Sequence, residues 1–257
     1  VAALPRRDLA VILSCIVVVT ALAWVYLVHL DRQMSSSASD AKMMAEMGMA
    51  LNGPWTPADA WLTFAMWTVM MVGMMAGSVA PMLVLFARAQ AGRGQRVSLA
   101  VLMFGLGYLA VWTGFSALAT LAQWALHQAA LLSPAMSVAS PRLAGVVLLA
   151  AGAYQLTPWK GKCLSHCQTP LGFFMTNWRD GKAGAFQMGM RHGTFCLGCC
   201  WALMCVLFAV GVMNLVWVAA LTGFVLLEKI GPTGVTVARV AGLAMASLGI
   251  LRFAAIV

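Results

Sequence analysis

Apolar residues run along this chain in seven long blocks, at 9–30, 60–87, 99–126, 142–156, 194–211, 213–227 and 235–256, separated by shorter polar stretches. A helix needs about 20 apolar residues to cross the hydrocarbon core of a bilayer. The pattern therefore predicts an all-α, polytopic transmembrane helix bundle of about seven spans, with six as the alternative. Composition agrees: 62% of the 257 residues are hydrophobic and only 9% are charged, where soluble domains carry roughly 25% charged residues. The whole chain, 1–257, is read as one integral membrane domain, with no room for a water-soluble enzyme domain.

Charge adds orientation. The formal net charge of +9 raises nucleic-acid binding as a reading, because basic surfaces attract phosphate. Topology gives a plainer account. With the N-terminus in the cytoplasm, all but Arg32, Lys42, Arg142 and Arg252 of the 16 basic residues fall on the inner side, as the positive-inside rule expects. Asp31, Asp40, Glu46 and Asp59 fall in the first outer loop. The chain is thus expected in a bacterial inner membrane, multi-pass, with a cytoplasmic start and no nucleic-acid partner. Arg6 and Arg7 before an apolar run also suit a signal peptide. That run exceeds the usual 7–15 residues and ends in aromatics and His29 rather than small residues, so it reads as a retained first helix.

Two connections stand out. The outer loop 31–59 is rich in Ser and Met; residues 42–49 predict a short amphipathic helix, closed by the turn Asn52-Gly53-Pro54. The inner segment 157–193 holds charges beside Trp159, Phe173, Phe174 and Trp178, a composition suited to an interfacial or re-entrant element. Glu228 and Lys229, adjacent at the end of the sixth block, read as snorkelling interfacial groups.

The chemistry concentrates in cysteine. Of seven, Cys15 is isolated; Cys163, Cys167, Cys196, Cys199, Cys200 and Cys205 crowd into one stretch. Cys163 and Cys167 flank His166. On a helix, His192, Cys196 and Cys199 share one face at spacings of four and three. Soft thiolates with imidazole support select copper(I), zinc or iron–sulfur clusters, and a cysteine cluster in a reducing compartment favours metal or redox chemistry over stapling. The candidate metal ligands are Cys163, Cys167, Cys196, Cys199 and Cys200, with His166 and His192 in support. Copper is the favoured ion and zinc the alternative. Buried packing residues and a thiol–disulfide pair are the competing readings. Adjacent Cys199 and Cys200 point about 100° apart on a regular helix, so joint ligation is expected to need a distorted one.

Methionine supplies a second soft donor. Met43, Met44 and Met47 in the outer loop, with Met66, Met70 and Met74 at four-residue spacing in the second block, outline a soft-metal path. A methionine stripe at that spacing is equally a helix–helix packing face. No Ser-His-Asp set, carboxylate dyad, phosphate loop or metalloprotease motif is present.

Several motifs together resemble a bacterial domain-of-unknown-function family of predicted metal-binding integral membrane proteins. They are Trp67 through Pro81, Cys163 and Cys167 followed by Pro170, Trp178-Arg179-Asp180-Gly181, Gly184-Ala185-Phe186, Gly198-Cys199-Cys200-Trp201, Met213-Asn214-Leu215 and Glu228-Lys229. The resemblance implies metal binding and no particular reaction. The leading expectation is copper(I) handling, with the lipid bilayer, other membrane subunits or a metallochaperone as partners. A structural or assembly subunit of a respiratory, photosynthetic or copper-monooxygenase complex is the alternative. A metal-dependent membrane oxidoreductase is a third reading.

Overall fold

The computed structural model of the chain describes residues 5–46 (side chains through 34), 55–91, 97–129, 131, 140–231 and 233–254. These residues form helices throughout: α1 (Arg6–Glu46), α2 (Pro57–Gln90), α3 (Val97–Gln128), α4 (Pro141–Gln155), α5 (Pro158–Gln168), α6 (Pro170–Asn177), α7 (Gly181–Val210), α8 (Leu215–Ile230) and α9 (Gly234–Phe253). Each apolar block of the sequence falls mainly on one of them, and among the described residues there is no strand. Five helices are long and apolar enough to cross a membrane: α1 over Arg6–Met34, α2, α3, α7 and α9. About seven spans were expected; α4 and α8, at 15 and 16 residues, fall short of the ~20 that a full crossing takes.

Two boundaries differ from expectation. The first helix does not stop near residue 30 but runs on to Glu46, because the Ser-rich stretch contains neither Gly nor Pro to break it. Its last turns absorb the start of the amphipathic helix expected at 42–49; Met47 and the turn at 52–54 lie outside the described residues, as do the side chains of Met43 and Met44. The fifth apolar block is also longer than its hydropathy indicates. α7 begins at Gly181, whose φ of +82° is a conformation open to glycine at little cost, and which turns the chain out of the Trp178–Asp180 corner. What was read as one inner segment is therefore two short helices plus the first turns of α7.

Glycine sets the tightest packing. α4 and α9 run antiparallel with Gly145 beside Gly249 and Gly152 beside Gly242. A Cβ on Gly152 would lie 2.6 Å from both Ala246 N and Gly242 O, so the two backbones are in direct contact. α3 and α7 run parallel and pack the same way, Gly107 against Phe186 O and Gly189 against Phe104 O. Small residues at such positions let helices approach without a side-chain layer between them. The core between α2, α3 and α7 is filled by Trp67, Phe86, Phe104, Trp112 and the methionines of α2, and Trp67 Nε1 donates to Gln123 Oε1 at 2.8 Å.

The short helix α5 is fastened by charge. Thr157 accepts from Lys160 N at 3.3 Å and Pro158 opens the helix, which suits the first turn. Lys160 Nζ donates to Glu228 Oε1 and Oε2 at 2.6 and 2.8 Å, and also to Gln155 Oε1. Both charged side chains are 1% exposed. Gln168 Nε2 adds a bond to Glu228 O at 2.7 Å. The end of α8 thus holds both ends of α5.

Two outcomes follow from this packing. Gly152→Ala should lower the unfolding temperature in detergent, since overpacking a full contact costs ~1–3 kcal/mol. Gly114→Ala, where an added Cβ meets nothing within 4 Å, should be neutral or stabilising by up to ~1 kcal/mol; equal effects would contradict the packing. Glu228→Gln should destabilise by about 3–5 kcal/mol, because it strands the buried Lys160 ammonium. The double change Lys160→Met with Glu228→Leu, followed by the same unfolding measurement, should cost less than the single one.

Candidate functional site

α7 is a regular helix through its cysteine run, so residues three and four apart share a face. Cys196, Cys199 and Cys200 are each 1% exposed. Both following thiols turn back to one acceptor: Cys199 Sγ lies 3.1 Å and Cys200 Sγ 2.9 Å from Cys196 O. The helix is regular here, and both thiols reach the same carbonyl without a break in it. Bonding to the i−3 and i−4 carbonyl, a habit of short polar side chains in helices, swings both thiols back over the preceding turn.

α5 lays its own cysteines against this face. Cys167 Sγ stands 4.0 Å from Cys199 Sγ and also faces Cys196. Hydrogen bonding to Cys196 and Cys199, then burial, holds the Cys167 thiol well above its ordinary pKa. Cys163 is half-buried, with its sulfur 2.8 Å from where a Cβ on Gly198 would be. Glycine at 198 is what lets α5 come so near. Burial is the first cause, and Cys199 the second, that pushes the Cys163 thiol up.

The predicted histidines separate. His192 is 3% exposed, stacks with Tyr108 at 5.8 Å, and leaves Nδ1 buried without a hydrogen-bond partner among the described residues. His166 is drawn away: its ring stacks on Phe195 at 4.2 Å, and Nδ1 is 2.8 Å from Lys162 O. Met66, Met70 and Met74 are buried in the core, as packing residues are.

Sequence reasoning missed the groups that bind Cys196. Glu228 and Lys229 do not snorkel; they are 1% and 6% exposed. Lys229 Nζ lies 2.8 Å from Cys196 Sγ, 3.3 Å from Ser78 Oγ and 3.8 Å from Met75 Sδ. The Tyr108 hydroxyl sits 3.0 Å from the same sulfur. The one available signal was the placement of an acid and a base at the end of an apolar block, which intramembrane ionisable residues make a functional marker. A cavity of about 170 Å³ between α1, α2 and α3 is lined by Met75 and Tyr108 among others, and so ends against two of these contacts.

Among the described residues, no group of three or more His, Cys, Asp or Glu stands ready to hold a metal ion. The nearest approach is the Cys167–Cys199 pair. Metal–thiolate bonds run near ~2.3 Å, so sulfurs 4.0 Å apart would subtend an angle of about 120° at a shared ion. The arrangement offers two sulfurs at bridging distance, two more thiols on the same turn and a buried cation beside them.

No curated protein and no solved structure matches the chain. A family match covers most of it: residues 64–252 fit the family described as PpoB2, copper chaperone, a range that takes in α3 to α8 whole, nearly all of α2 and α9, and all the clustered cysteines. The chain belongs to this copper chaperone family.

Proposed function

We infer that the chain is a membrane-embedded copper(I) carrier whose binding pocket is the thiol cluster between α5 and α7. The observation that carries this reading is the 4.0 Å separation of the Cys167 and Cys199 sulfurs, in a chain of the copper chaperone family. Copper(I) is soft and content with two or three thiolates, whereas a structural zinc site takes four ligands. Each thiol that becomes a ligand gives up its proton to solvent as the metal–sulfur bond forms. Half-buried Cys163 meets the ion first. Cys167 and Cys199 hold it, with Cys196 and Cys200 behind them, and His192 Nδ1 is the one imidazole nitrogen positioned to assist. His166 and the α2 methionines take no part. The partners this implies are a soluble or membrane protein that supplies the ion and one that receives it.

The bilayer belongs to the same reading. Val17, Leu22 and Val25 of α1 and Leu118 of α3 are each more than half exposed, an apolar surface that water would penalise and lipid accepts. α2 and α3 run antiparallel, Trp67 meeting Gln123 at one end and Phe86 meeting Phe104 at the other, as successive crossings would. The distribution of basic residues supports a chain start and α5 on the cytoplasmic side of a bacterial membrane, where thiols stay reduced.

Silver(I) binding to the purified full-length protein in detergent tests the site. Cys167→Ser and Cys199→Ser should each weaken it by more than the ~10–100-fold that loss of an outer-shell partner costs. Cys15→Ser should leave it unchanged. Unaltered binding in both pocket variants would return the cysteines to a packing role. For orientation, a cysteine introduced by Lys162→Cys, on the exposed face of α5, should resist a membrane-impermeant thiol reagent in intact cells and react after permeabilisation. Labelling of intact cells would reverse the topology.

A further inference from the structure

Lys229 reaches across the bundle from the last turn of α8 and ends on sulfur. Among the described residues its ammonium contacts no carboxylate; the neighbouring carboxylate, Glu228, is taken by Lys160. Its partners are Cys196 Sγ at 2.8 Å, Ser78 Oγ at 3.3 Å and Met75 Sδ at 3.8 Å, and Cys199, Cys200 and Tyr108 lie within electrostatic range. A buried, unneutralised charge is expensive, so this cation demands one unit of negative charge from the thiol cluster. That demand has a consequence for whatever ion the cluster takes.

We propose that Lys229 is the specificity-determining residue of the thiol pocket, a fixed cation that makes it select monovalent soft metals over divalent ones. The proposal rests on the metal-carrier reading above and adds which ions the carrier accepts. A monovalent ion on two thiolates forms a complex of charge −1, which the ammonium neutralises. A divalent ion on two thiolates is already neutral and leaves the ammonium unpaired in an apolar interior. It regains balance only with a third thiolate, so that two protons must leave the empty pocket with its single thiolate, where a monovalent ion displaces one. Three sulfurs would still fall short of the four ligands that zinc prefers. Copper(I) and silver(I) meet neither cost. Selection here comes from counting charge rather than from ligand softness, which would not separate silver(I) from cadmium(II).

Competition between silver(I) and cadmium(II), each added alone and then together to the full-length protein in detergent, reads this directly. The wild-type chain should keep silver(I) against excess cadmium(II). Lys229→Met should shift the ratio of the two affinities toward cadmium(II) by at least ~10-fold, the scale of removing one unit charge a few ångströms from a poorly screened site. Lys229→Arg, which keeps the charge, should hold the wild-type ratio. If Lys229→Met does not fold, Ser78→Asp neutralises the same ammonium in place, and it should move the ratio in the same direction. A ratio unchanged in these charge-altered variants, with silver(I) still bound at the pocket cysteines, would overturn the role of Lys229 alone. Absence of silver(I) binding to the wild-type protein would overturn the carrier reading beneath it.

Discussion

An ionised group sealed among apolar helices has to meet its opposite charge within a few ångströms, and α8 ends on two such groups side by side. Glu228 and Lys229 project in different directions and are neutralised differently. The carboxylate turns to Lys160 on α5. The ammonium turns to Cys196 on α7, with Ser78 and Met75 of α2 beside it. One dipeptide therefore fastens three elements that are far apart in sequence. Replacing Lys160 and Glu228 together by apolar groups of similar size would suit a bundle that needed only stability, since buried ion pairs seldom outperform hydrophobic packing. The two charges of α8 instead fix where α5 lies and what charge the thiols next to it must carry.

The energetics divide accordingly. Non-specific cohesion comes from apolar contact: the aromatic and methionine core of α2, α3 and α7, and the glycine-lined contacts of α4 with α9 and α3 with α7. Such contacts hold backbones close but say nothing about which thiols face each other. Position is supplied by a small set of directional contacts, namely the Lys160–Glu228 pair, Gln168 on Glu228 O, and Tyr154, whose hydroxyl donates to Gly198 O at 2.5 Å. The last of these fixes the turn of α7 on which the cysteines sit. Gly198 then serves twice, leaving room for Cys163 on one side and offering its carbonyl to α4 on the other.

Much of this was legible in the sequence wherever one helix decided the matter. The helical character of each apolar block, the shared face of His192, Cys196 and Cys199, and the crowding of cysteines near α7 all follow from period and composition. The start of α7 at Gly181 was legible only in part: Gly184, Gly189, Gly193, Arg191 and His192 lower the local hydropathy and hint at an earlier start, but the packing of α3 on Gly189 and Gly193 is a contact between helices. The role of Lys229 was not: its partner lies 33 residues away in sequence, and no single-helix pattern reports a contact between helices. His166 makes a contact of the same kind. Its place between two cysteines marks it as a candidate ligand, while its stacking on Phe195 depends on α7, which the pattern of α5 alone does not report.

The arrangement of the thiols also bears on how a carrier lets its cargo go. Cys196, Cys199 and Cys200 belong to a long helix whose backbone touches α3 through Gly107 and Gly189, so their positions are set by the bundle. Cys163 and Cys167 belong to a helix of 11 residues held by one ion pair and a few hydrogen bonds. A pocket divided in this way has one half that the core fixes and one half that a modest shift can withdraw. On the carrier reading proposed above, binding would use both halves and release would need only the lighter one to move. Under that reading the asymmetry suits passing an ion on rather than storing it, because a site built wholly into α7 would have to deform the core to open.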